Sequence, residues 1–290
     1  MTSSDPLLQG AYDLHVHASP DVVPRRQDLL ELARSAREAG MGGIALKDHT
    51  SCTAGRVYLL NRLFEGSPEF YGCIALNPPV GGLNPSAVES ALREGARIVH
   101  FPTYGARNHI RHWGLGKPPT AFPVPHDFAG DTVNDEAGAI RPEVDEILDL
   151  IVRFDAVLAT GHIAPEESLA LIRRATEKGV RKVFVNHVME SVAPMTPEQQ
   201  REAARLGALV EQSFFALSPA CPNPGTVEEM RDQIRAVGPQ SVILSSDLGQ
   251  VSNMPPVEGF AHYLRRLEEA GIGRDELRVM IRDNPLRLIG

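Results

Sequence analysis

Short apolar runs alternate along this chain with longer segments whose apolar residues recur at helical spacing. The short runs predict strands over residues 11–17, 42–48, 71–77, 96–102, 156–162, 182–187, 208–213 and 242–247. The longer segments predict helices over 25–40, 55–66, 84–95, 141–154, 164–179, 195–207, 225–238 and 256–271. In the first of these, Leu29, Leu32, Ala33 and Ala36 share one face. Seven helical segments close on a glycine (Gly40, Gly66, Gly95, Gly179, Gly207, Gly238 and Gly271), the residue that best tolerates the left-handed backbone ending a helix. Thr196, Pro197 and Gln199 form a capping box with proline at the first helical position.

Strands alternating with helices imply βαβ units and a parallel sheet. Eight such units predict a closed (β/α)8 TIM barrel, with a doubly wound open sheet as the alternative. A chain of 290 residues suits one barrel with a long loop, so residues 1–290 read as a single domain. The irregular part is 103–140, after strand four, which is rich in Pro, Gly and His and has no clear period. A long loop at the end of a barrel strand is expected to be a lid; a plain surface excursion is the alternative. Within it, 132–140 reads as a small hairpin.

Barrel enzymes build their sites at the C-terminal ends of the strands. Strand one ends in His15 and His17, two residues apart and therefore on one face, with Asp13 expected to point inward and Leu14 and Val16 outward. Strand five ends at His162. Strand six ends at His187, with Val183 and Val185 expected on its face. Strand eight ends at Asp247, with Ile243 and Ser245 on its face. A lone inward histidine is commonly a hydrogen-bonded structural residue. Five such groups at one rim are costly to bury without a metal or solvent. The donor set suits Zn²⁺ first, with Mn²⁺, Fe²⁺ or Ni²⁺ as alternatives.

These residues, in this order, each ending a strand, resemble the amidohydrolase superfamily over nearly the whole chain. The closing NPLRLIG (284–290) is similar to that superfamily's closing segment. The resemblance implies one or two divalent ions that polarise a substrate and activate water. It also implies that Asp247 binds metal and shuttles a proton as catalytic base, then acid. Strand four departs from the pattern. Where a bridging lysine or glutamate is common, it offers His100 and Thr103. Strand two offers Lys47 and His49 on one face, as additional metal ligands or substrate contacts. Lys47 is either carboxylated, free to meet a substrate anion, or paired with Asp13, Asp48 or Glu211. Glu211 on strand seven is a further inward carboxylate.

Substrate contacts are expected from Lys47, His49, Asn77 and Thr103, and from Arg107, His109, Arg111 and His112, with Trp113, on the lid. A solvated basic loop is the plainer reading of that last group. His126 and His262 read as surface residues.

Charge narrows the partners. A net charge of −8 argues against a nucleic-acid backbone, so a small-molecule substrate is expected, with a homo-oligomer open. The three cysteines, Cys52, Cys73 and Cys221, form no CxxC or disulfide pattern, which favours the cytoplasm. No signal peptide is expected, and no apolar stretch has membrane-spanning length. The leading functional expectation is hydrolysis of an amide, imide, lactone or ester. Metal-dependent decarboxylation, phosphoester cleavage and a catalytically silent binding protein are the competitors.

Overall fold

The computed structural model describes residues 5–114 and 122–290. Eight parallel strands lie side by side in sequence order: β1 (Tyr12–Val16), β2 (Gly43–Leu46), β3 (Glu69–Ala75), β4 (Ala96–His100), β5 (Val157–Ala159), β6 (Val183–Val185), β7 (Leu209–Ser213) and β8 (Val242–Ser245). The ring closes where the Asp247 N–H donates to the His15 carbonyl at 2.9 Å and the His17 N–H to the Leu248 carbonyl at 2.8 Å. This is the TIM barrel that the alternation predicts.

The helices are α1 (Leu29–Glu38), α2 (Ala54–Leu63), α3 (Pro85–Glu94), α4 (Arg107–Trp113), α5 (Pro142–Arg153), α6 (Pro165–Lys178), α7 (Pro197–Arg205), α8 (Val227–Val237), α9 (Pro256–Glu269), α10 (Arg274–Arg278) and α11 (Asn284–Ile289). The Thr196–Gln199 capping box at the start of α7 forms as expected. One apolar layer lies between strands and helices, including Ile44, Leu46, Val183 and Val185. A second fills the barrel itself: Leu14, Ala45, Ile98, Phe184, Leu209 and Ile243 pack together there. Among the described residues, no helix is long and apolar enough to cross a membrane.

Three local departures from simple alternation position the site. Leu14, expected outside, packs within the barrel, while Asp13 is level with Ile44 of the outer layer. A register shift between Asp13 and Val16 then returns His15 and His17 to the inner face. The Asp13 carboxylate holds this bulge by accepting from the N–H of His15 (3.2 Å) and of Ser246 (3.0 Å). Val183 and Val185 likewise face outward, so alternation does not bring His187 inward. Its left-handed backbone, φ +37°, does so instead.

The third departure concerns α1. It starts at Leu29 behind an Asp28 cap, not at residue 25, because Asp28 and Glu31 form a capping box. Residues 25 and 26 instead run against the loop after β8, with the Arg26 N–H donating to the Gly249 carbonyl at 2.8 Å.

Candidate metal centre

His15 is fixed first. Its Nδ1 lies 2.9 Å from Oε1 of Glu211, which is fully buried on β7. Glu211 also accepts from Ser245 Oγ (2.6 Å), Asn186 Nδ2 (2.8 Å) and the His187 N–H (3.0 Å). Burial alone would raise this carboxyl. The His15 ring and the bonds from His15 and Ser245 outweigh that and hold it well below the usual range. A carboxylate on Nδ1 keeps the proton there and leaves the Nε2 lone pair of His15 facing the barrel mouth.

Around that lone pair the chain gathers the other groups. Asp247 Oδ1 lies 3.1 Å from Nε2 of both His15 and His17, and Oδ2 lies 3.9 Å from His187 Nε2. One donor atom each from His15, His187 and Asp247 falls within 4.8 Å of the others, a buried cluster with metal-holding geometry. His187 Nδ1 is buried without a partner among the described residues. His162 stands next to His187, ring centroids 4.8 Å apart, and its Nδ1 is 2.8 Å from Nδ1 of His109. Burial holds His17, His49 and His162 well below the ordinary histidine range and His187 down at about 3, so these rings are neutral ligands-in-waiting.

The structure thus brings together His15, His17, His162, His187 and Asp247, as the strand ends predict. Lys47 joins them: its Nζ is 2.9 Å from His15 Nε2. The alternative in which Lys47 pairs with Asp13, Asp48 or Glu211 does not occur among the described residues, since Asp48 pairs with Arg56 (2.7 Å) and Glu211 with His15. Burial lowers the Lys47 ammonium pKa despite the charges of Asp247, Glu211 and Glu190. His49 stacks on His17 at 4.9 Å. Asn77 and Thr103 are fully buried and buttress His49: Thr103 Oγ1 lies 2.9 Å from its Nδ1, and Asn77 Nδ2 donates to its carbonyl at 2.9 Å and to Thr103 Oγ1 at 2.7 Å. Neither lines the cavity described next.

A cavity of ≈ 440 Å³ opens above the cluster, bounded by Arg25, Trp113, Phe122, Glu190, Phe215 and Cys221, with Lys47 and Asp247 at its floor. The segment expected as a lid, of which 115–121 lie outside the described residues, contains α4, which sets His109 and Trp113 on the cavity wall. Arg107, Arg111 and His112, expected at the substrate, lie off that wall, with Arg111 and His112 exposed. A helix presents only one face, and here His109 and Trp113 occupy it. Phe122 covers His49 (4.7 Å) and stacks on Tyr104 (4.7 Å). His126 is exposed, whereas His262 is half-buried with its ring 5.8 Å from that of Phe214.

Two charged wall residues escaped sequence reasoning. Arg25, read as the start of a helix, has a buried side chain that grips Asp21 at 2.7 Å and reaches to 3.4 Å from His17 Nδ1. Glu190 lies three residues beyond His187, so the rule that loops after barrel strands line the mouth identifies it. Burial first, then the charge of Asp247, pushes its carboxyl well above the usual range.

A family model described as "Family of unknown function (DUF6282)" matches residues 10–211. No curated protein matches the chain. Solved structures do. An amidohydrolase from Pseudomonas aeruginosa is 13% identical with a TM-score of 0.64, covering 98% of this chain and 96% of its own. An organophosphorus hydrolase from Deinococcus radiodurans is 14% identical with a TM-score of 0.62, covering 99% and 94%. YJJV, a TATD homolog from Escherichia coli k12, is 17% identical with a TM-score of 0.57, covering 97% and 98%. At these identities the likeness establishes a shared barrel fold.

Proposed function

Because the chain belongs to the DUF6282 family and carries a buried His15–His187–Asp247 cluster at the mouth of its barrel, we propose that it is a divalent-metal-dependent hydrolase of small molecules. The bond cleaved is an amide, imide, lactone or ester. The observation that carries this reading is the convergence of three donor atoms within 4.8 Å, with His17 Nε2 3.1 Å from the same Asp247 oxygen. The fold relatives include a protein named as an amidohydrolase and one named as an organophosphorus hydrolase.

The residues present fit an ion. Neutral imidazoles and one carboxylate are the donor set of Zn²⁺, with Mn²⁺, Fe²⁺ and Ni²⁺ also accommodated. His187 Nε2 faces Asp247 Oδ2 at 3.9 Å, too long for a hydrogen bond, a gap that a shared ion would close. Bound here, a divalent cation would polarise a carbonyl oxygen and make water nucleophilic near neutral pH. Glu211 keeps the Nε2 lone pair of His15 available. His109 supports His162 in the same manner, through the 2.8 Å contact between their Nδ1 atoms.

Asp247 lines the cavity and acts as the base that takes a proton from the attacking water and returns it to the leaving group. Lys47 has a switchable part. His15 Nε2 has one lone pair, so coordination and the 2.9 Å Lys47 contact exclude one another. Once displaced, Lys47 faces the cavity and can bind a substrate oxygen. The apolar wall, including Trp113, Phe122 and Phe215, excludes water and holds the body of the substrate.

Metal loading followed by a panel of lactones, cyclic imides, amides and esters tests the reading. Metal-dependent turnover of at least one class is expected. Carbon dioxide release from unsaturated acids without any hydrolysis would instead make the protein a lyase.

A further inference from the structure

Glu190 is the acidic group of the cavity that the mechanism above does not use. It stands in the turn after β6, its N–H donating to the His187 carbonyl at 2.9 Å. It is only 7% exposed and lines the cavity. Its Oε1 accepts from Ser213 Oγ at 2.8 Å. Oε2 has no hydrogen-bond partner among the described residues. With one oxygen anchored on Ser213 and the other open to the cavity, the carboxyl is placed to meet a polar group of a bound ligand, and a ligand that covers it without pairing strips its water at a cost. The other carboxylate of the wall, Asp247, is already engaged by His15 and His17, each 3.1 Å away, which leaves Glu190 as the uncommitted acidic acceptor of the cavity.

We propose that Glu190 selects substrates whose scissile carbonyl carries an adjacent N–H (a lactam, cyclic imide or ureide) over lactones, esters and N-alkylated amides. This deepens the hydrolase reading and rests on it. A carboxylate oxygen accepts an N–H, and Oε2 is the oxygen that Ser213 leaves free to do so. An oxygen ester presents only acceptors there, and an N-methyl group would thrust carbon at Oε2. Leaving a buried polar group unpaired discriminates more strongly than a change of size does, by up to about 10⁴-fold where a site is built to meet a hydrogen-bonding group.

The test uses the metal-loaded full chain with matched sets: a cyclic imide, its N-methyl derivative and the corresponding lactone. Wild type is expected to favour the N–H compound over its N-methyl derivative by at least about 10²-fold in kcat/KM. Glu190→Leu should bring that ratio to within a few-fold, whereas Glu190→Gln, which keeps an acceptor and the shape, should restore most of it. If the ratio persists in Glu190→Leu, or if wild type cleaves lactones and N-methyl imides as well as it cleaves N–H compounds, the proposal is overturned while the hydrolase reading stands.

If no compound turns over, the hydrolase reading fails, and equilibrium binding of the same ligands by calorimetry decides the role of Glu190. A wild-type preference for the N–H member that vanishes in Glu190→Leu supports it. Equal binding, or none, overturns it.

Discussion

His15 Nδ1 lies 2.9 Å from Glu211 Oε1, and on the far side of the same ring Nε2 lies 3.1 Å from Asp247 Oδ1. One imidazole thus joins a permanently buried carboxylate to the cavity floor. The first contact fixes which nitrogen carries the proton, and the second sets where an ion would sit. Replacing Glu211 by Gln should therefore weaken Zn²⁺ affinity about 10- to 100-fold, because His15 loses its orienting charge. Isothermal titration with Zn²⁺ checks this; an unchanged affinity would assign Glu211 to folding alone.

Asp247 occupies the opposite end of this relay, with His17 Nε2 also 3.1 Å away. The Asp247→Asn protein should keep its far-UV spectrum and lose turnover by about 10²-fold or more. A near-normal rate in the metal-loaded variant would remove Asp247 from proton transfer.

Lys47 competes for the His15 lone pair and brings a latent positive charge to the floor of the site. Lys47→Met should bind Zn²⁺ more tightly than wild type, by about ten-fold for each 1.4 kcal/mol of competition removed, while hydrolysis slows. Weaker metal binding in this variant would instead make Lys47 a ligand, as expected for a carboxylated side chain.

Gly161, just before His162, sits at φ +67°, and a Cβ there would fall 2.2 Å from the Phe101 carbonyl oxygen. Gly161→Ala should destabilise the protein by about 2–4 kcal/mol, through strain and backbone displacement, and should move His162. Chemical denaturation measures the loss; a change under about 0.5 kcal/mol would mean that the loop yields freely.

Acid should unfold the metal-free protein early. His187 and His109 titrate at about 3 and about 4 because burial disfavours their charged forms, against 6.5 for an ordinary histidine. Their folded values are lowered, so the unfolded chain binds more protons between pH 6.5 and 4, and stability falls as pH drops through that window. His17, His49, His100 and His162 act in the same direction. Asp13, raised to about 7 by burial, opposes them, as do Glu190 and Asp131, whose carboxyls burial also raises. Melting temperature should decline steadily from pH 7 to pH 4.5, and a flat profile would contradict the buried neutral cluster.

Much of this was legible in the sequence. Apolar periodicity located all eight strands, because a parallel barrel buries both faces of each strand and leaves short continuous runs. The rim rule then found His15, His17, His162, His187 and Asp247 without any contact information. What periodicity could not carry was the local backbone. The bulge that Asp13 holds in β1 and the left-handed residue at His187 both break the two-residue repeat, and both do so at the site. Arg25 was hidden because the cap at Asp28 outranks the apolar spacing that begins before it. The helix at Arg107–Trp113 is too short for its period to show, and its burial comes from His109 packing against His162, a partner 53 residues away.

Anomalous diffraction from crystals grown with Zn²⁺, recorded on both sides of the metal edge, tests the central claim most directly. The account predicts an ion peak about 2.0–2.2 Å from donor atoms of His15, His187 and Asp247. A fully loaded protein with its only peak elsewhere, or with none in the barrel mouth, would contradict it.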